Sequence, residues 1–174
     1  MGLAPTTSTT IMLALGDALA VALMERRGFS ADQYRDLHPG GALGRALIRV
    51  LDIMHTDKMP LVTPDAAMRD VLLTMTSGGF GVAGVIDPEG SLIGIITDGD
   101  LRRHMERGML DRHARDVMTM APKTIAPEML AVEALAFMND APKVTCLFIV
   151  DPSATDRRPV GILHVHDCLR AGLR

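Results

Sequence analysis

The sequence predicts an α/β (α+β) protein made of two β-α-β-β-α units in tandem, preceded by one helix and a loop. An internal repeat supports this prediction, because the segment LDIM at 51–54 returns as RDVM at 115–118, which is 64 residues later. Gly94 and Gly161 lie 67 residues apart, so the second copy has three extra residues in one loop. We expect the copies to pack sheet to sheet as a pseudo-twofold pair, with a cleft where their strand ends meet.

The first 50 residues lie outside the repeat. The segment APTTSTT predicts the start of a helix from about Thr9 to Arg27, which Gly28 is placed to end. This helix is apolar on nearly every side, which is typical of a helix inside a core. Gly16 and Asp17 interrupt its apolar run, and no basic stretch precedes it, so we predict no membrane span and no signal peptide. The segment DLHPGGALGR then predicts a Gly-rich loop that leads into the repeats.

Each repeat contains a proline, a helix, two apolar runs joined by a turn, and a short terminal helix. In the first copy, apolar side chains with helical spacing predict one buried helix face, with Asp65 as N-cap and Gly78 closing the helix. The same spacing recurs in the second copy. The two stripes are Met68, Val71, Leu72 and Met75, and then Ala131, Ala134, Leu135 and Met138. The runs VAGVI and LIGIIT, and later CLFIV and PVGILHV, predict buried strands bounded by Asp-Pro turns.

Composition excludes several classes of protein. The formal net charge is −3, and the chain has one Tyr and no Trp, so base-stacking surfaces are scarce and we expect no nucleic-acid partner. The two cysteines, Cys146 and Cys168, lack the close pairing of thiolate metal sites and redox motifs. We therefore interpret them as small buried apolar residues of a cytoplasmic protein.

The sequence TDGD at 97–100 stops an apolar strand and begins a helix. One interpretation is a capping box, in which Thr97 and Asp100 bond to each other's backbone amides. The other is a nucleotide-binding edge, in which Asp100 accepts ribose hydroxyls while Thr97 and the following amides, from Asp98 onward, hold phosphate. Gly99 favours the second interpretation, because it removes a side chain where a ligand would approach the backbone.

Basic residues follow this strand end. Most of them fit a solvated surface, but Arg102 or Arg103 is placed to reach a phosphate. In the second copy the corresponding pair is His164 and Asp167, where the larger imidazole predicts a narrower pocket. His164 and His166 have no third ligand at a suitable spacing, so we predict no metal site.

The region from about residue 51 to the end resembles the tandem cystathionine-β-synthase (CBS) domain pair, a module that commonly binds adenosine-type or other nucleotides between its copies. The family marker, a Thr or Ser three residues before an Asp, matches Thr97 and Asp100. The earlier segments LAPTTSTT, GDALAVALMERRGF and HPGGALGR look like the end of the sugar-isomerase (SIS) domain in D-arabinose 5-phosphate isomerases. Those enzymes carry a CBS pair directly after the SIS domain.

The resemblance implies three regions: an SIS remnant at 1–50 and CBS repeats at 51–110 and 111–174. It implies a regulatory pair from an enzyme that interconverts ribulose 5-phosphate and arabinose 5-phosphate on the way to Kdo, for lipopolysaccharide or capsule. The implied ligands are AMP, ATP or CMP-Kdo, and no cofactor is required. His38 matches the proposed proton-transfer base, a role that imidazole suits because it titrates near neutrality.

Two other functions stay open at this point. The chain could itself be an active isomerase, although most of the family's sugar-phosphate-binding domain is absent from the sequence, so we expect it to be inactive alone. Alternatively, the repeats could serve chiefly as an oligomerisation module with an empty cleft. In either case the apolar first helix predicts a homo-oligomer, a dimer or tetramer, because large apolar patches usually find another surface.

Overall fold

The computed structural model describes residues 4–30, 33–34, 37, 41–105, 108–154 and 156–173, with the side chains of 42–43 left aside. The chain divides into two units, Met1–Leu47 and Ile48–Arg174. The first unit contains helices α1, Thr6–Arg26, and α2, Ala42–Ala46.

Helix α1 begins three residues earlier than predicted. Pro5 occupies the N-cap position, and the Ser8 and Thr9 hydroxyls donate to its carbonyl oxygen, so the threonines join the first turn. Arg27 is the C-cap, one position before the predicted cap Gly28, which follows it at φ +65°. No residue of α1 is buried, so the structure does not place it inside a core.

By length and composition, α1 is also apolar enough to cross a membrane. This is weak evidence, because core helices of soluble proteins and N-terminal signal sequences share the same properties. The absence of a membrane span therefore stays a prediction.

The second unit contains both repeats. The first repeat has β1, Leu61–Val62; α3, Met68–Gly78; β2, Val82–Ile86; β3, Leu92–Thr97; and α4, Asp98–Arg103. The second has β5, Thr124–Ile125; α6, Ala131–Asn139; β6, Cys146–Val150; β7, Pro159–His164; and α7, Val165–Arg170. Between and before them lie α5, Ala114–Val117; β4, Thr119–Met120; and 3₁₀ turns at Val50–Asp52 and Met109–Asp111. The predicted β-α-β-β-α order is confirmed in both copies.

The predicted helix faces are buried, with small differences at the ends. Leu72 is only partly buried, whereas the other seven members of the two stripes are buried. The Asp65 cap prediction is wrong, because Asp65 lies in a turn before the helix and pairs with Arg115 instead. Gly78 is still helical, and Gly79 at φ +75° ends α3, since that left-handed backbone is open to glycine at little cost.

The two sheets are built to the same plan. In the first, β1 runs parallel to β2 and β2 antiparallel to β3, and the second repeats this with β5, β6 and β7. Residues of both sheets share one apolar cluster, which includes Val82, Leu92, Phe148 and Ile162. A Cβ added to Gly84 would lie 2.8 Å from the Phe148 ring, so this ring of the second sheet packs directly against a glycine of the first. The predicted sheet-to-sheet packing is confirmed.

Each repeat also sends a short segment to the other repeat's sheet; we call residues 53–55 and 118–120 the exchanged segments. Strand β4, inside the second segment, pairs with β3 of the first repeat, while His55 forms a bridge with Ile162 of the second. Each crossing places a methionine against a glycine. An added Cβ would lie 2.5 Å from Met118 Sδ at Gly94 and 2.7 Å from Met54 Sδ at Gly161.

Candidate functional site: the strand ends of the two repeats

The TDGD segment folds as a capping box. Thr97 ends β3 in extended backbone, and α4 begins at Asp98. The Asp100 amide donates to Thr97 Oγ1 at 3.2 Å, and the Thr97 amide donates to Asp100 Oδ2 at 2.8 Å. The two residues therefore satisfy each other's backbone groups, as the capping interpretation predicts.

Asp100 is 2% exposed, and both oxygens of its side chain accept hydrogen bonds. Oδ2 also accepts from Thr97 Oγ1 at 2.6 Å, and Oδ1 accepts from Thr119 Oγ1 at 2.8 Å and from the Arg103 guanidinium. Burial raises the pKa of Asp100, but the hydrogen bonds from Thr97 and Thr119 and the Arg103 charge outweigh it and hold the pKa below its usual value.

These bonds fill the carboxylate's acceptor positions. A carboxylate offers about four lone-pair sites, and each oxygen of Asp100 accepts two hydrogen bonds. Arg103 has 65% of its side chain accessible and can therefore leave readily. In this arrangement, a ribose hydroxyl can reach Asp100 only after one of these donors moves.

The second repeat holds Asp167 in a related way. The His164 amide donates to Asp167 Oδ2 at 2.9 Å, Arg170 pairs with Oδ1, and His55 Nε2 lies 3.0 Å from Oδ1. Burial raises the pKa of Asp167, but hydrogen bonds from His55, His164 and Arg170 lower it by more and hold the pKa below its usual value. Each aspartate is thus bound by the other repeat's exchanged segment, Asp100 by Thr119 and Asp167 by His55.

His164 does not reproduce the bond that Thr97 makes to its aspartate. Its Nδ1 instead accepts from the His166 amide at 3.2 Å. Burial, and then the charge of His166, lower the pKa of His164. Within the described residues, no group of three or more His, Cys, Asp or Glu side chains is placed to hold a metal ion. His38 lies outside the described residues.

Two grooves flank the last turns of α3. The smaller, about 260 Å³, is lined by Leu72, Met75, Thr76, Gly79, Gly81, Asp98 and Leu101. The larger, about 410 Å³, is lined by Lys58, Met59, Pro60, Thr74, Ser77 and Gly78. Of the predicted site residues, Asp98 alone lines either groove. Thr97, Gly99, Arg102 and Arg103 lie near it in sequence, and the last two are exposed.

Sequence reasoning missed the groove residues on α3 and on the segment before β1. The glycines Gly78, Gly79 and Gly81 were a usable signal, since they cluster at the turn that both grooves border. Lys58 gave no such signal, because its positive φ of 57° is visible only in the structure.

Known proteins share both the sequence and this architecture. The chain is 49% identical to the arabinose 5-phosphate isomerase KdsD of Pseudomonas aeruginosa over 99% of its own length. It spans about half of the curated relatives it matches, 53% in that case.

Solved CBS structures match the fold. The CBS domain pair of protein MJ0100, in complex with 5'-methylthioadenosine and S-adenosyl-L-methionine, has a TM-score of 0.62 at 19% identity, covering 71% of this chain and 94% of that one. The protein CBSX2 in complex with AMP has a TM-score of 0.59 at 21% identity, covering 72% and 96%. At these identities the likeness concerns the fold alone.

The family model for the CBS domain matches residues 50–107 and again 114–174, which is most of the chain. These two matches coincide with the two β-α-β-β-α units and with the paired strand ends described above. The chain therefore belongs to the CBS domain family and carries two copies of that domain.

Proposed function

We propose that this chain is the nucleotide- or nucleotide-sugar-binding regulatory module of an arabinose 5-phosphate isomerase. The observation that carries the proposal is the 49% identity to such an enzyme across nearly the whole chain. The CBS pairs of similar fold described with AMP or S-adenosyl-L-methionine support a nucleotide-like ligand. Candidates are AMP, ATP and CMP-Kdo, and no cofactor is needed for such binding.

The site we propose is the strand end of the first repeat. Asp98 borders the smaller groove, and Thr97, Gly99 and Asp100 surround it in sequence. Arg103 holds Asp100 when no ligand is bound and moves to the ligand's phosphate on binding, because a guanidinium pairs readily with phosphate oxygens. Its departure frees an Asp100 oxygen for a ribose hydroxyl. Arg102 adds a second positive charge at this edge.

The test is a binding panel of AMP, ATP and CMP-Kdo, first by thermal shift and then by calorimetry. Arg103→Ala should weaken the best ligand by about 1.5 to 3 kcal/mol, the scale of a charge-assisted hydrogen bond. Arg170→Ala is the matched control, since Arg170 makes the same contact to Asp167 in the second repeat. Equal losses in both variants, or no binding of any nucleotide, would contradict the proposal.

An assembly module without a ligand is the alternative, and one observation favours it: both oxygens of Asp100 are already bonded within the protein. The same panel separates the two functions. We also expect a homo-oligomer, a dimer or tetramer, because the large apolar side chains of α1 are exposed. Light scattering at tens of micromolar protein would reveal a monomer if this expectation is wrong.

The isomerase activity would reside in the catalytic domain of the enzyme that such a module regulates. Proton transfer contributes only about 100- to 10,000-fold to a rate and needs a positioned substrate, so we expect no appreciable isomerisation of ribulose 5-phosphate by this chain alone, although it contains His38. A sugar-phosphate isomerase of this kind would act in the cytoplasm, on the route to lipopolysaccharide or capsule. An isomerase assay on the purified chain tests the expectation.

A further inference from the structure

The smaller groove is bordered by a carboxylate that the protein does not use. Asp98 is exposed, and in the part of the chain that the structure describes its side chain has no hydrogen bond or ion pair. The carboxylate lies close to Gly81, where an added Cβ would be 3.2 Å from Asp98 Oδ2. Since Gly81 has no side chain, the space beside the carboxylate stays open. Both oxygens of Asp98 are therefore available to a ligand.

The rest of the groove wall offers a further acceptor and apolar surface. The Thr76 hydroxyl donates to the Leu72 carbonyl oxygen at 2.8 Å, so its own oxygen can still accept. The side chains of Leu72, Met75 and Leu101 supply the apolar part. Among the described residues that line the groove there is no lysine, arginine or histidine. A groove with these groups disfavours phosphate and suits a flat group that carries N–H donors.

The size of the groove fits part of a nucleotide. At about 260 Å³ it is slightly below the ~300 to 1,000 Å³ of sites that enclose a whole ligand. It shares Asp98 with the proposed strand-end site, and Leu101, which lines it, directly follows Asp100. A nucleotide bound at that site can therefore place its base in the groove, its ribose at Asp100 and its phosphate at Arg103.

The second repeat has no such acceptor at the equivalent position. The Asp98 amide donates to the Gly81 carbonyl oxygen at 3.3 Å, and the Val165 amide donates to that of Thr145 at 2.9 Å, so Val165 corresponds to Asp98 and Thr145 to Gly81. Val165 packs against the apolar core of its own repeat. A carboxylate beside an open glycine is thus a feature of the first repeat, and the second has two β-branched side chains there.

We propose that the smaller groove of the first repeat holds the base of the bound nucleotide, and that Asp98 selects bases with an exocyclic amino group by accepting a hydrogen bond from it. This inference rests on the proposed nucleotide-binding function and adds the orientation of the ligand and the class of base. Adenine and cytosine, the bases of AMP, ATP and CMP-Kdo, carry such an amino group, whereas hypoxanthine and uracil have a carbonyl oxygen in its place.

Purine riboside 5'-monophosphate tests the selection, because it is AMP with a hydrogen in place of the amino group. In calorimetric titration of the unaltered chain, we expect AMP to bind at least about tenfold more tightly than this analogue, the scale of one hydrogen bond to a charged group. Equal affinities, or tighter binding of the analogue, would overturn the selection.

Asp98→Ala tests the residue, because it removes the acceptor without breaking a side-chain bond to the described part of the chain. The dissociation constant of AMP should rise at least about tenfold, while that of the analogue changes little, so the preference disappears. Asp98→Asn keeps one acceptor oxygen and should recover part of it. Asp70→Ala is the control, because Asp70 is an exposed aspartate of α3 that lines neither groove.

A second variant tests whether the base lies in the groove. Thr76→Phe puts a ring into the groove wall and should weaken AMP and its analogue alike, by at least about tenfold, because the ring takes space that either base needs. Leu73→Phe is its control, since Leu73 is on the same helix, is 69% exposed and lines neither groove. Unchanged affinity in folded Thr76→Phe would overturn the placement of the base.

The outcomes separate this inference from the function on which it rests. If ATP or CMP-Kdo binds and AMP does not, the same variants are titrated with that nucleotide. Unchanged affinity in folded Asp98→Ala then overturns the inference and leaves nucleotide binding in place. No binding of any of the three nucleotides by the unaltered chain would overturn the proposed function together with this inference.

Discussion

The two repeats share their elements, yet they hold their strand-end aspartates with different chemistry. Asp100 accepts from two threonine hydroxyls, from Thr97 and Thr119, in addition to an arginine. Asp167 has a histidine of the exchanged segment, His55, and an arginine, while His164 turns away toward a neighbouring amide. A duplicated fold therefore keeps a buried carboxylate at each strand end, while the groups around it, and the groove beside it, are free to differ.

Removing each carboxylate should give the largest loss of stability and the clearest difference between the two repeats. Asp100→Ala leaves two hydroxyls and a backbone amide without an acceptor, so we expect a loss of about 3 kcal/mol in the free energy of unfolding. Asp167→Ala should cost about 2 kcal/mol, because it leaves the His164 amide but no hydroxyl without an acceptor, and water can replace the partner of half-exposed His55 and exposed Arg170. Urea denaturation measures both, and a larger loss for Asp167→Ala would contradict the difference.

The methionine-on-glycine contacts of the exchanged segments offer a second comparison. Gly161→Ala should cost about 2 kcal/mol, since its new Cβ would lie 3.1 Å from the His55 backbone oxygen as well as against Met54. Gly94→Ala should cost about 1 kcal/mol, because the atoms nearest to its new Cβ belong to the Met118 side chain, whose thioether end can move.

A double variant checks the cause of the Gly94 loss. Met118→Ala should cost less in the Gly94→Ala background than in the unaltered protein, because the new methyl group takes up part of the space that the methionine leaves. Strictly additive losses in thermal or urea unfolding would show that the two residues do not interact.

The free energy of unfolding should fall in two separate pH ranges, of which the higher is due to His164 of the second repeat. Burial lowers the pKa of His164, so the unfolded chain takes up this proton more readily and stability falls as pH drops below the ordinary value of 6.5. The lowered pKa values of Asp100 and Asp167 act in a different range: their stabilisation is complete above the ordinary value of 3.8 and is lost as pH falls through the folded value.

His164→Thr gives the second repeat the residue of the first and isolates the higher range. We expect the variant to lose less stability than the unaltered protein between about pH 7 and 5, the range in which histidine titrates. Denaturation at several pH values measures this, and identical pH profiles would contradict it.

The arginines should give the smallest difference. Arg103 and Arg170 make the same contact to their aspartates and are 65% and 73% exposed, so each change to alanine should cost no more than about 1 kcal/mol in stability. A stability loss well above that for Arg103→Ala alone would mean that this arginine is structural, and it would weaken its proposed role in ligand binding.

Sequence patterns predicted the fold well because the helices and strands of each repeat show a regular local spacing of apolar residues. The stripes on α3 and α6 and the four strands of the paired runs follow from spacing alone. The exchanged segments were not predicted, since β4 is only two residues long and its partner strand lies in the other repeat. Helix ends were missed by one to three residues, at Thr6, Met68 and Gly79, where turn geometry decides.

The candidate site was predicted in part. The spacing of a threonine and an aspartate offered the capping box at Thr97 and Asp100 as one of two interpretations, and the structure shows this box. It could not reveal Thr119 or His55, because these donors come from distant sequence through the crossing segments.

The crossing of residues 53–55 and 118–120 constrains how the chain can fold during synthesis. While the ribosome has made only the first repeat, β3 lacks its edge strand, Gly94 lacks Met118, and Asp100 lacks Thr119. The first repeat can thus reach its native hydrogen bonding only after residue 119 has emerged, and the second repeat is completed by Met54 and His55, which were made much earlier. We therefore expect the two repeats to complete their folding together, because each needs a segment of the other.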